Sequence, residues 1–222
     1  TVAEVVKSTM AGIRRDLGQP PSKKEPATLA EIQAMIATLD TDKLKGQRDK
    51  ALLLVGFAGA FRRSELVALD VADVRFGDGL RITIKRSKTD QEGKGLLKTI
   101  PFIGGELCPV QALREWLDTA SIASGPIFRR VSRWGGVGDK RLSSQSVALV
   151  IKAAARAAGL DWRSFSGHSL RSGFITASLN GGASDSDIVE QTGQGIATMR
   201  GYRRNSGVGS RRAVLVAFGE GG

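Results

Sequence analysis

The chain has 222 residues, with 33 Lys and Arg against 22 Asp and Glu, a formal charge of +11, and 41% apolar residues. That apolar share suits a packed core and excludes a disordered polyelectrolyte. The longest uncharged, mainly apolar run, residues 51–61, falls far short of the ~20 residues that a membrane-spanning helix needs. A single cysteine, Cys108, excludes an internal disulfide and any Cys-rich zinc site, and a single histidine, His168, excludes a multi-His metal site. No cofactor is expected. The positive excess points to a polyanion and supplies salt-sensitive attraction to nucleic acid. The chain shows no signal peptide and no initiating Met, which reads as a piece of something longer in a reducing cytosol.

Residues 2–17 place Val2, Val5, Val6, Met10, Ile13 and Leu17 at helical spacing. Residues 18–26, rich in Pro and charge, read as an extended linker. The organisation expected is a terminal helix of an upstream domain at 1–17, a linker at 18–27, a main domain at 28–204 and a tail at 205–222. Thr28 with Glu31 forms a capping box ahead of Leu29, Ile32, Met35 and Ile36. A second helix spans 45–60 and is buried in its second half. A third begins near Ser64, a good N-cap.

Residues 80–85 alternate, with Ile82 and Ile84 on one face, and 97–102 alternate less cleanly, with Pro101 marking an edge strand. The polar stretch between them makes a β-hairpin with a long basic tip, and 73–76 offers a third strand. Pro109 opens a helix over Pro109–Thr119. Residues 125–140 read as loop, with a short strand at Ile127 and Phe128. Helices follow at 143–158, ended by Gly159, at 168–179, and at 185–192, capped by Ser184. A last helix lies around 196–203, and an apolar stretch at 213–218 follows several glycines. The fold class expected is α+β, mainly α-helical, around a small antiparallel sheet.

Four motifs, holding five positions, carry chemistry. Arg62 follows a buried helix, so a rigid core would hold a planar, permanently charged fork suited to two phosphate oxygens. His168 and Arg171 lie three apart in the first turn of a helix, where the N-terminus favours anions. Tyr202 is the only tyrosine; its phenol, of pKa about 10, is a poor nucleophile unless neighbouring cations favour the phenolate. Lys88, at the hairpin tip, can reach into a groove and give up a proton. Taken singly, each also fits a solvated surface residue.

In chain order, Arg62, Lys88, His168 with Arg171, and Tyr202 resemble the tyrosine recombinases, the phage-integrase family. Residues 60–66 match its Gly-Leu-Arg-x-Ser-Glu-Leu box, with Ala60 and Phe61 in place of Gly-Leu. Residues 167–171 match its His-x-Leu-Arg box, and Ser87-Lys88-Thr89 resembles its hairpin lysine motif. The resemblance covers 28–204 and implies a catalytic domain that breaks and rejoins double-stranded DNA. Tyr202 would form a 3′-phosphotyrosyl bond, with Arg62 and Arg171 clamping the phosphate. Lys88 would protonate the leaving 5′-oxygen, His168 would serve the attack as acid and base, and Glu65 would be structural. The resemblance also implies self-association on DNA, as a tetramer in the synaptic complex. A bacterial or phage-encoded, nucleoid-associated protein follows from it, with no membrane partner. The segment 213–218 would exchange between neighbouring protomers on DNA.

Two departures stand out. Thr192-Gly193-Gln194 occupies the place of the family's Leu-Gly-His, and Gln194 can donate to a phosphate oxygen but cannot act as an imidazole. The spacing from Gln194 to Tyr202 is one residue short, which rotates a helix by about 100° unless the 193–195 loop absorbs it. The sequence therefore leaves three readings: an active recombinase, a binding-only relative, and a type IB topoisomerase-like relaxing enzyme.

Overall fold

The structure is a computed structural model, and it describes residues 24–85, 95–196, 198–199 and 202. Short-range signals set most of the helices. Helix α1 (Leu29–Ala37) starts on the expected capping box, in which the Thr28 N–H donates to the Glu31 carboxylate and the Glu31 N–H donates to Thr28 Oγ1. Its Ile32, Met35 and Ile36 turn inward.

Helix α2 (Leu44–Ala58) is buried on every side from Ala51 to Val55, as a central helix must be. Helix α3 (Arg63–Ala68) departs from the sequence reading at its start. Arg62, not Ser64, is the N-cap, because the buried Glu65 carboxylate accepts the Arg62 N–H at 3.0 Å and the Arg62 guanidinium as well. Counting back three residues from Glu65 gives that start.

A 3₁₀ turn (Val71–Asp73) leads into β1 (Val74–Phe76), β2 (Gly79–Ile84) and β3 (Leu96–Pro101), an antiparallel sheet in the order β1-β2-β3. Leu80 pairs with Ile100 and Ile82 with Lys98, so Leu80, Ile82, Ile84, Lys98 and Ile100 share the inward face. Pro101 ends β3 on the sheet's edge, as expected. The tip of this hairpin, with Lys88, lies outside the described residues, as do the 2–17 helix and the 213–218 segment.

Helix α4 (Pro109–Thr119) packs along α2 through Val110, Leu113, Trp116 and Leu117, and the Trp116 indole donates to the Ile127 carbonyl at 2.9 Å. Residues 125–140 are not simply loop. They contain a second antiparallel pair, β4 (Arg129–Val131) and β5 (Val137–Arg141), with an irregular register. Arg141 anchors that hairpin to α3 by donating to the Val67 carbonyl at 2.7 Å and pairing with Asp70 at 2.9 Å. At its tip Trp134 is 82% exposed, with the Arg133 guanidinium 4.4 Å from the ring centre.

Helices α5 (Ser144–Ala157), α6 (Ser169–Asn180) and α7 (Asp185–Thr192) complete the frame; Ser143 caps α5 and Ser184 caps α7. Ile196, Thr198, Met199 and Tyr202 are helical. Among the described residues two apolar clusters result. The large one gathers α1 to α5, the three-stranded sheet and Leu170. The small one holds Ile175, Leu179, Ile188 and Met199, with Phe174, Val189 and Tyr202 against it. Helix α6 runs from the first cluster into the second. Among the described residues no helix is long and apolar enough to cross a membrane.

Candidate active site

Close packing brings the two arginine boxes together. Gly167 abuts the Arg63 side chain, and a Cβ on Gly56 would lie 2.8 Å from Leu170 and 3.0 Å from Leu66. Between these contacts, α2 ends in a tight turn at Gly59 and Ala60. Ala60 sits at φ 46°, the left-handed region where glycine is at ease. This is the position at which the family motif carries Gly, so the departure noted in the sequence has a backbone consequence.

Arg171 reaches this turn from a point 111 residues further along the chain. It is buried; Nη1 donates to the Ala60 carbonyl and Nη2 to the Thr192 carbonyl at 2.8 Å. With its amide turned to satisfy both groups, Gln194 Oε1 accepts from Arg171 Nε at 2.9 Å and from Nη2 at 3.0 Å. Gln194 is thus a brace for Arg171. The loop before it bends at Gly193, the left-handed C-cap of α7, where a Cβ would come within 2.6 Å of Leu96.

Arg62 lies beside Arg171, its side chain 17% exposed and ion-paired with Glu65. Burial first, and the Arg62 charge second, bring the Arg171 guanidinium down to about 10, while Glu65 and Tyr202 act the other way. It remains a cation at neutral pH. His168, at the N-cap of α6, is open to solvent at its surface; the partial loss of water around the ring, and then the charges of Arg63, Arg171 and Arg62, hold it below its ordinary 6.5. A neutral imidazole among three guanidiniums can accept a proton. Tyr202 is half-buried against the small cluster and within electrostatic reach of Arg171.

The structure therefore brings together Arg62, His168, Arg171 and Gln194 of the sequence-predicted set, and places Tyr202 on the neighbouring small cluster within electrostatic reach of Arg171. Lys88 lies outside the described residues. The sequence reading overlooked Lys98. This lysine is fully buried, its Nζ donates to the Gly59 carbonyl at 2.7 Å and to the Gln191 carbonyl, and it lies 5.1 Å from the Phe61 ring centre. Burial, then the charges of Arg171 and Arg62, lower it to about 7, against the pull of Glu65. The signal was available: on an alternating strand Lys98 shares the register of Ile100, the inward one.

Beyond the arginines, an open hollow of about 740 Å³ is lined by Ser64, Arg130, Lys140, Arg141 and the start of α5 at Ser143 and Ser144. Its basic rim extends the positive surface from α3 towards the β4–β5 hairpin.

A family model described as the phage integrase family matches residues 27–206. Among curated proteins, an integrase/recombinase xerD homolog from Selenomonas ruminantium is 43% identical over 190 residues, covering 85% of this chain and 56% of its own length. Tyrosine recombinase XerD of Xanthomonas axonopodis pv. citri is 34% identical over 167 residues, covering 74% of this chain and 52% of its own length. The chain thus spans about half the length of the curated relatives it matches. In solved structures, the XerA recombinase superposes with a TM-score of 0.62 at 24% identity, over 84% of this chain and 61% of that one. A lambda integrase dimer bound to a COC' core site gives 0.59 at 17% identity, over 83% of this chain and 49% of that one. These likenesses establish a shared fold.

Proposed function

Because this chain belongs to the phage integrase family, we propose that it is the catalytic part of a site-specific recombinase that cuts and rejoins double-stranded DNA through a 3′-phosphotyrosyl intermediate. The observation that supports this reading most is the grouping of Arg62, Arg171 and His168, with Tyr202 within electrostatic reach of Arg171. Relatives named as recombinases and integrases favour it over binding without cleavage and over site-independent relaxation.

In this reading the Tyr202 oxygen attacks the scissile phosphorus as neutral His168 takes the phenol proton. The P–O5′ bond breaks, and Lys88 protonates the leaving oxygen. Arg62 and Arg171 stabilise the charge that grows on the non-bridging oxygens, in place from the start because the Ala60 turn and the end of α7 already hold Arg171. Gln194 keeps Arg171 aimed. A 5′-hydroxyl of another strand then attacks the phosphotyrosine and gives its proton to Lys88; the bond between phosphorus and the Tyr202 oxygen breaks, and His168 returns its proton to the phenol. One phosphodiester replaces another, so no nucleotide hydrolysis is needed.

The domain assignment belongs to the same proposal: catalysis within 28–204, residues 1–17 as the last helix of an upstream DNA-binding domain joined by 18–27, and 205–222 as a tail exchanged between protomers of a DNA-bound tetramer. The cell compartment is the bacterial cytoplasm, at the nucleoid. Duplex DNA lies across the basic surface from Arg62 to Arg130 and Lys140, giving binding that weakens steeply with salt.

The test is a nicked suicide substrate carrying the recombination site, incubated with the protein in its full-length context. Wild type is expected to give an SDS-stable protein–DNA adduct, and Tyr202→Phe none. Salt-sensitive binding with no adduct from wild type would overturn the catalytic reading.

A further inference from the structure

Two helices end face to face at this site. The last carbonyls of α2 and of the turn that follows it (Ala58, Gly59, Ala60) look across at the last carbonyls of α7 (Gln191, Thr192). Carbonyls at a helix C-terminus lack intrahelical donors and carry the negative end of the helix dipole. Unfilled, that gap would hold two electronegative ends apart.

Three side chains fill it in consecutive layers. Gln191 Nε2 donates to the Ala58 carbonyl at 2.9 Å. Lys98 bridges the Gly59 and Gln191 carbonyls. Arg171 bridges the Ala60 and Thr192 carbonyls. Lys98 comes from β3, so the middle layer also fastens the three-stranded sheet to the clamp. Because it is fully buried, it cannot touch DNA itself.

We propose that Lys98 is a positioning residue for strand cleavage: by spanning the Gly59 and Gln191 carbonyls it fixes the gap between α2 and α7 at the width at which Arg171 reaches both sides and faces the phosphate. This rests on the recombinase reading above. The electrostatics agree. Lys98 is surrounded by Arg171 from α6, Arg62 and Glu65 from the start of α3, the Phe61 ring, and the uncharged ends of α2 and α7. In this net-positive nest the amine sits near 7, and an arriving phosphate adds the negative charge that favours its protonated form. A bound substrate then tightens the very bridge that holds the clamp.

The experiment compares Lys98→Met, which keeps the shape and deletes the donors, with Lys98→Arg, which keeps an N–H fork. Both are made in the full-length context and measured for melting temperature, affinity for uncleavable duplex, and rate of adduct formation at saturating suicide substrate. Lys98→Met is expected to melt within a few degrees of wild type and to bind DNA within about threefold. Its adduct formation is expected to be at least tenfold slower, with Lys98→Arg recovering part of the rate. An unchanged rate per bound protomer in Lys98→Met, whatever its melting temperature, overturns the proposal. Absence of adduct from wild type would instead strike the recombinase reading.

Discussion

Arg62 sits beside the large apolar cluster around α2 and Arg171 is held between that cluster and the end of α7, whereas Tyr202 rests on the small cluster formed by Ile175, Leu179, Ile188 and Met199. The first cluster draws on five helices and a sheet and includes fully buried Trp116, Phe128, Leu52 and Ile82. Among the described residues the second has few buried side chains and is tied to the first through α6, the Phe57–Phe174 ring contact and the carbonyl bridges at the end of α7. Local opening follows the density of buried apolar contact. On the proposed reading, Arg62 and one side of Arg171 therefore rest on the rigid part of the molecule, and the nucleophile rests on the part that opens at lower cost.

The division can be broken at several points. Arg171→Ala removes the cation where both parts meet and leaves the Ala60 and Thr192 carbonyls unpaired. Adduct formation at saturating DNA is expected to fall by about 10²–10³-fold, the range for losing one preorganised donor at an oxyanion. A fall of less than tenfold would remove Arg171 from the chemistry.

Leu52→Ala, in the large cluster, is expected to lower global stability by about 2–5 kcal/mol, as for other buried Leu truncations. Ile188→Ala, in the small one, is expected to move the denaturant midpoint less and to speed hydrogen exchange in α7 and at Met199 before exchange in α2 changes. Equal acceleration in α2 and α7 would show a single cooperative unit and erase the distinction.

Lys98 gives a pH signature. Its ordinary value is 10.5 and its folded one about 7, so between those limits the unfolded chain binds more protons on this side chain than the folded one does. Its contribution to stability therefore rises with pH through that window; below it, the full cost of burying the charge is present. Urea midpoints at pH 7 and 9 are expected to show a smaller upward difference in Lys98→Met than in wild type. Ala60→Gly is the mildest change. Relieving the left-handed strain at φ 46° is expected to raise stability by up to ~1 kcal/mol, offset in part by the freedom glycine gains when unfolded, with adduct formation intact.

What could be read from the sequence was what depends on neighbours in the chain. Thr28 with Glu31, Pro109, Ser143 and Ser184 fixed helix starts because a cap is a contact over three residues. Alternation at Leu80, Ile82 and Ile84 revealed β2 for a similar reason. The β4–β5 hairpin stayed hidden because its strands are short, largely exposed and irregular in register, so no period of two marks them. The motif order led to Arg62, His168, Arg171, Gln194 and Tyr202, but not to how they are held. That Gln194 braces Arg171, and that Lys98 bridges two helix ends, depends on carbonyls that meet only once α2 and α7 are packed.

The two indoles at opposite extremes of burial make the protein its own optical instrument. Trp116 is sealed under α2 while Trp134 stands in water on a basic hairpin. With the third indole, half-buried Trp162, replaced by Phe, iodide in a cuvette will quench emission from the second and spare the first. Shielding of that quenchable fraction on adding duplex would report contact at the hairpin, and a red shift of the sealed one would report melting of the frame, without attaching a dye.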